Sequence, residues 1–333
     1  MKPYMWIIIV ILAVVLVLAA GLFFAAKLLY KYAVKSKHQD PSEEEFDRIL
    51  ISAGKGDSID FLNKGRACYN ALAEKAEHPS ITSYDGLRLH ALFFTCPISP
   101  RGIIIISHGY RSAPRHDFAP VLEKYLNMGF HVLAVDHRGH GKSEGEEICF
   151  GVKERYDMRD WLKYLQERFP TLPVLISGIS MGASVALMAA ALPDVPKNLA
   201  GVSADCGYSH PRGEVCHVLK NKMKLPIFPL YHVADLYCRK KAGFSFNECD
   251  LTKDINNIKV PVLFIHGLSD DFVPAYHTER MHEAFTGTKE LVLVENAGHG
   301  VAYLEDPKRV SRVLNGFFDN CLEAWSTQNR KNG

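Results

Sequence analysis

The chain has 333 residues, 47% hydrophobic and 23% charged, which suits one large α/β domain or two small ones and excludes global disorder. Its formal charge is +2, and no long basic run follows the first forty residues, so nucleic acid is not an expected partner. The eight cysteines, at 68, 96, 149, 206, 216, 238, 249 and 321, form no C-x-x-C pair; this excludes a zinc ribbon or thioredoxin-like site and leaves scattered free thiols.

From Met5 to Ala26, 22 residues carry no charge, enough for a helix to cross a hydrocarbon core of about 30 Å. Trp6 and Tyr30 flank the run as interfacial rings, and Lys2 and Lys27 mark its ends. A cleaved signal peptide would need a shorter apolar core and a small-x-small site. Val17-Leu18-Ala19 serves poorly, and the run continues through Phe23 and Phe24. A core helix would show a polar face, and this one has none. The expectation is a single-pass anchor over residues 1–35 that holds the protein at the cell membrane. Lys27, Lys31, Lys35 and Lys37 follow the span against Lys2 before it, which favours the cytoplasm for the remainder.

Residues 36–78 read as a polar connector and a helical extension. A short helical stretch is expected around Phe46–Ile51, then a helix over 58–76 with Ser58 as a candidate N-cap. The main domain is expected over 79–325. Ile81–Tyr84 and Leu87–Thr95, split by Asp85-Gly86, read as a hairpin. Ile103–Ile106 is uniformly apolar, as in a strand buried on both faces. Similar runs recur at Phe130–Val135, Leu172–Ser177, Leu199–Ala204, Val260–Ile265 and Leu291–Val294. Helical spacing between them, as in Met158, Trp161, Leu162, Leu165 and Phe169, predicts a mainly parallel sheet covered on both faces. Residues 207–250 break the alternation. With Pro211, Pro226 and Pro229 among aromatic residues, they read as an insertion that forms a lid, with Leu225–Leu230 docked on the core.

Gly178-Ile179-Ser180-Met181-Gly182 joins a buried strand to an alanine-rich helix. A sharp turn there leaves no room for flanking side chains and holds a serine Oγ at a helix N-terminus. Such a serine needs a base, and the base an orienting acid. Later in the chain, Asp270 follows the strand Val262–Ile265, and His299 follows Leu291–Glu295. Both fall at carboxyl ends of strands, the edge at which open α/β sheets bind ligands. Asp205 and Asp271 remain rivals to Asp270 as the acid. After Ile103–Ile106, His108-Gly109-Tyr110 supplies a turn in which the Tyr110 N–H, with that of Met181, is placed to hold an oxyanion.

These motifs, together with Asp136-His137-Arg138-Gly139-His140-Gly141-Lys142-Ser143, resemble the α/β-hydrolase superfamily over about residues 80–320. Within it they are similar to the serine-aminopeptidase-like "hydrolase 4" group of membrane-anchored bacterial proteins. The resemblance implies an α/β-hydrolase fold with a lid insertion, and a structural, not phosphate-binding, role for the Asp136–Ser143 loop. Members of that superfamily are esterases, lipases, thioesterases and peptidases, so the resemblance carries no substrate; the residues themselves are read as a carboxylic ester hydrolase with a Ser180–Asp270–His299 triad, acting on a small-molecule acyl ester or peptide. A peptidase or amidase with the same machinery, or a membrane-tethered binding protein that keeps the fold without turnover, are the alternatives. No cofactor is implied: no G-x-G-x-x-G follows a strand. No metal is implied either, because His137 with His140, and His277 with His282, lack a third ligand.

Overall fold

The computed structural model describes residues 3–36, 38, 42–52 and 55–332. Lys2 and Lys37, used above for orientation, and Pro41 and Gly54 of the connector lie outside them. Eight strands form one sheet: β1 Ser80–Thr82, β2 Arg88–Phe94, β3 Gly102–Ser107, β4 Phe130–Val135, β5 Val174–Ile179, β6 Leu199–Asp205, β7 Val262–Gly267 and β8 Lys289–Val294. Their spatial order is β1-β2-β4-β3-β5-β6-β7-β8. The first two pairings are antiparallel and the rest parallel. This is the α/β-hydrolase fold.

Burial explains which apolar runs became which strands. Every residue of β3, β4, β6 and β7 is buried, because helices cover both faces of the parallel centre. β8 departs from that expectation. It is the edge strand, and only Val292 and Val294 are buried in it. Its apolar run is therefore fully covered only on the Val292 and Val294 face, while Leu291 packs half-buried on the other. The face lined by Ile104, Ile106 and Val132 packs against Leu62 and Tyr69 of the helix Ile59–Ala73. It also packs against Val310, Leu314, Phe317 and Cys321 of the helix Pro307–Asn332, whose spacing aligns one helical stripe. The other face carries Trp161 and Leu165 from the helix Glu154–Arg168.

Two local expectations need correction. Ser58 does not cap its helix: it sits in helical backbone at φ −86, ψ −6, closing a 3₁₀ turn over Gly56–Ser58, and its side chain makes no cap bond. In the 207–250 insertion, Leu230 is buried but Phe228 is 76% exposed. The Pro226 and Pro229 segment thus turns Phe228 outward instead of docking it. Helices Pro211–His217 and Leu230–Lys241 form the body of the insertion.

At the N-terminus a helix spans Pro3–Leu29, followed by a wider turn over Tyr30–Val34. Its most apolar window is fully solvent-facing, whereas Ala26 and Val34 are buried against the main body.

Candidate active site

The strand β5 ends in a strained turn. Ser180 has φ 57 and ψ −121, a conformation that costs on the order of 1–3 kcal/mol and persists only where surrounding contacts enforce it. Those contacts are visible. A Cβ at Gly178 would overlap the backbone of Gly182 and Ala183, and one at Gly182 would overlap the Ser107 and His108 carbonyls of the neighbouring strand end. The Ser180 N–H donates to the Asp205 carbonyl at 2.8 Å, tying the turn to β6. Met181 then opens the helix Met181–Ala190.

The loops after β7 and β8 bring two further side chains to this turn. His299 Nε2 lies 2.8 Å from Ser180 Oγ, and His299 Nδ1 lies 2.7 Å from Asp270 Oδ2. A carboxylate can only accept, so Nδ1 carries the proton and Nε2 is left free to accept from the serine hydroxyl. The Asp270 side chain is fully buried. Its Oδ1 accepts the Phe272 and Val273 N–H groups at 3.0 and 2.9 Å. Burial alone would push its carboxyl up, but hydrogen bonds from His266 and His299 outweigh that and hold it well below the usual carboxylate range.

The other two acids are placed differently. Asp271 is 87% exposed and pairs with Lys222 at 2.7 Å. Asp205 is buried on a cavity floor, where desolvation pushes its carboxyl up to about 6 against the pull of His266 and His299. One of its oxygens, Oδ1, meets no hydrogen-bond partner among the described residues.

Behind Ser180, the loop after β3 is fixed by an acid that the sequence pattern did not single out. Asp117 accepts from the Gly109 N–H at 2.7 Å and from Ser112 Oγ at 2.6 Å. Gly109 in turn lies against the Ser180 side chain. Among the described residues, no acceptor meets the Tyr110 or Met181 N–H. The Tyr110 hydroxyl donates to the Ala33 carbonyl at 2.8 Å.

His266 was likewise not singled out. Its Nε2 donates to the Val273 carbonyl at 2.8 Å and reaches Asp270 Oδ2 at 3.3 Å, while its Nδ1 accepts from Thr278 at 2.6 Å. It is a second, fully buried partner for the acid. Its place at the end of β7, four residues before Asp270, was the only signal available in the sequence.

The Asp136–Ser143 loop is a scaffold. Arg138 is buried and bonded to both oxygens of Asp157, at 2.6 Å each, and to Asp85 at 2.8 and 3.0 Å. His108, His137 and His140 pack together at 4.6 and 4.8 Å between ring centroids. Burial pushes His137 down to about 3 and His140 down to about 4, so this cluster is neutral packing. Cys206, Asp270 and His299 have ligand atoms within 4.8 Å of one another. Burial keeps the Cys206 thiol protonated, and the other two are bonded to each other, so the trio is poorly suited to a metal.

Two cavities meet at Ser180. One, of about 360 Å³, is lined by Phe46, Tyr125, Asp205, Tyr303 and Leu314 on the sheet side. The other, of about 170 Å³, is lined by Ala33, Tyr208, Glu214, Leu219 and Phe246 on the lid side. Glu214 is the exception in an apolar wall: both carboxyl oxygens are buried without a partner among the described residues, and burial pushes its carboxyl up to about 8.

Residues 98–238 match the family model described as serine aminopeptidase, S33 (Hydrolase_4). Over 243 residues the chain is 30% identical to an uncharacterized Bacillus subtilis protein, YqkD, across 73% of this chain and 78% of that one. A stretch of 117 residues is 33% identical to a monoglyceride lipase of Rattus norvegicus, across 34% of this chain and 38% of the lipase. Among solved structures, an esterase of Pyrococcus furiosus is similar with a TM-score of 0.61 and 25% identity, across 74% of this chain and 91% of the esterase.

Proposed function

The chain belongs to the Hydrolase_4 (S33) family of the α/β-hydrolase superfamily, and from that premise we propose that it is a serine hydrolase cleaving carboxylic esters of the lipid type. The observation that carries this reading is the unbroken relay Ser180 Oγ–His299–Asp270, at 2.8 and 2.7 Å, set in a strained turn where two cavities meet. An ester has two arms, and a nucleophile between two cavities can hold the acyl arm in one and the alcohol arm in the other. The similarity to a monoglyceride lipase and an esterase favours ester over amide.

His299 Nε2 takes the Ser180 proton as Oγ attacks the acyl carbon. Negative charge then develops on the carbonyl oxygen, facing the open N–H groups of Tyr110 and Met181. The imidazolium gives its proton to the leaving alcohol, and water cleaves the acyl-enzyme by the same route. Asp270 stays ionised throughout and fixes the histidine tautomer. The apolar N-terminal helix acts as the membrane anchor. Burial of Ala26 and Val34 against the body supports retention, since signal cleavage near residue 20 would leave that helix end without its apolar stem.

The test is labelling of the full-length protein by a fluorophosphonate, with Ser180→Ala as control. It is paired with hydrolysis of a monoacylglycerol and of its matched amide. Labelling that persists in Ser180→Ala overturns the assignment, and faster amide cleavage would make the protein a peptidase or amidase instead.

A further inference from the structure

The lid-side cavity has a wall that does not come from the hydrolase domain. Leu29, Tyr30, Ala33 and Val34, where the N-terminal helix ends, line it opposite Tyr208 and Leu219, with Ser180 among its residues. This exit segment is pinned on every side. The Phe23 and Tyr30 rings meet the lid ring Tyr237 edge-on at 5.6 and 5.2 Å. Tyr30 donates to Glu147 at 2.9 Å, and the Ile148 N–H donates to the Val34 carbonyl at 2.7 Å. The loop carrying Tyr110, one of the two proposed oxyanion donors, holds it too, through the Tyr110 hydroxyl to the Ala33 carbonyl and Arg111 to the Tyr32 carbonyl.

Length makes the same division. At about 1.5 Å per residue, the 27 residues of this helix extend about 40 Å, about 10 Å more than a hydrocarbon core of about 30 Å. The surplus is about seven residues, and packing against the body begins at Leu22, about seven residues before the helix ends. The helix thus leaves the bilayer where it begins to pack on the body, about 10 Å before it reaches the cavity wall at Leu29. The lid beside it has an interfacial composition. Phe228, Leu236 and Met223 are exposed by 76, 53 and 37%, and they are interleaved with exposed Lys220, Lys222, Lys224, Arg239, Lys240 and Lys241.

We propose that the exit segment Leu29–Val34 is one wall of the acyl site, and that the cleft between it and the lid admits the single acyl chain of a membrane-resident ester directly from the bilayer. The proposal rests on the ester-hydrolase reading for its chemistry and on the anchor reading for its geometry. An acyl chain that follows the apolar helix reaches Ser180 without crossing water, and its transfer from lipid to cavity needs no exposed apolar intermediate. The Glu214 carboxyl, uncharged near neutrality because of its burial, leaves the cavity compatible with such a chain. The anchor is then part of the specificity apparatus as well as a tether.

The experiment uses the full-length protein in nanodiscs, with Ala33→Trp to narrow the cleft and Leu29→Ala to widen it. Hydrolysis of p-nitrophenyl acetate and octanoate gives a chain-length ratio, and the thermal unfolding midpoint reports that each variant is folded. Six methylenes separate the two esters, and displacing about two of them from the cleft should make Ala33→Trp lower the octanoate-to-acetate ratio of kcat/KM about tenfold. Leu29→Ala should shift the preferred chain to a longer one. Binding of dansyl-undecanoate to Ser180→Ala protein supplies a readout free of turnover, and adding Ala33→Trp should weaken it in parallel. An unchanged ratio in both variants overturns the proposal, and so does undiminished dansyl-undecanoate binding. If wild type neither labels nor turns over, the ester reading has failed, and the binding measurement still decides whether the cleft takes an acyl chain.

Discussion

The two cavities that share Ser180 are walled by different parts of the chain. The sheet-side cavity rests on strand ends and the loops that follow them, closed by Phe46 and Leu62 of the N-terminal extension and Leu314 of the C-terminal helix, and polar groups such as Asp205 and Asp117 reach into it. The lid-side cavity is assembled from segments far apart in the chain, the exit of the N-terminal helix and the insertion 207–250, and Glu214 is its one acidic residue. Both linings are mainly apolar, but three carboxyl side chains, of Glu45, Asp117 and Asp205, border the first against one, that of Glu214, in the second. The contrast teaches that the space beside one serine can be bounded by a sheet edge on one side and by the end of an N-terminal helix on the other.

The harshest change strikes the point that both cavities share. Ser180→Ala should lower kcat by about 10⁶, as loss of a triad nucleophile does in a serine protease, measured against a monoacylglycerol under conditions that keep the protein folded. Turnover within tenfold of wild type would remove Ser180 from the chemistry altogether. Next comes the acid. Asp270→Asn should cost about 10⁴ in kcat by analogy with the serine-protease acid, whereas exposed Asp271→Asn should change kcat less than twofold. The opposite ranking in the same assay would shift the relay onto another carboxylate.

A smaller effect is expected behind the oxyanion loop. Asp117→Ala removes both the Gly109 and Ser112 bonds and should lower kcat by about 10–100-fold with little change in KM, the pattern of a misaligned oxyanion donor. Asp117→Asn, which keeps an acceptor for the Gly109 N–H, should restore most of it. Equal loss in both variants, or a loss confined to KM, would make Asp117 a folding residue only.

The mildest prediction concerns the lid side and stability. Glu214 has its pKa raised from 4.5 to about 8 in the folded protein. Between those values the native state holds a proton that the unfolded chain has released, so stability falls as pH rises through that window. Glu214→Gln should flatten the decline and raise Tm by several degrees at pH 9, while leaving Tm at pH 4 close to wild type. A parallel decline in both proteins would show that Glu214 finds a partner in solution.

Much of this protein was determined by sequence alone, wherever the determining forces are local. Ile103–Ile106 and its counterparts declared a buried parallel sheet because four consecutive apolar residues leave no polar face for water. Gly178 and Gly182 declared the turn at Ser180 because no side chain fits there. Asp270 and His299 followed from chain order and strand ends. Tertiary structure decided what depends on contacts between distant segments. It put Asp270, not its neighbour Asp271, against His299, because the loop after β7 buries one carboxylate under the Phe272 and Val273 N–H groups and turns the other to solvent. It made β8 an edge strand, burying one face of its apolar run fully and the other only in part. It turned Phe228 outward and brought Leu29–Val34 into the lining of a cavity that includes Ser180. An apolar helix end satisfies the same composition rule in lipid as in a pocket wall. Long-range contacts such as the packing of Tyr30 on Tyr237, residues 207 apart in the chain, distinguish the two.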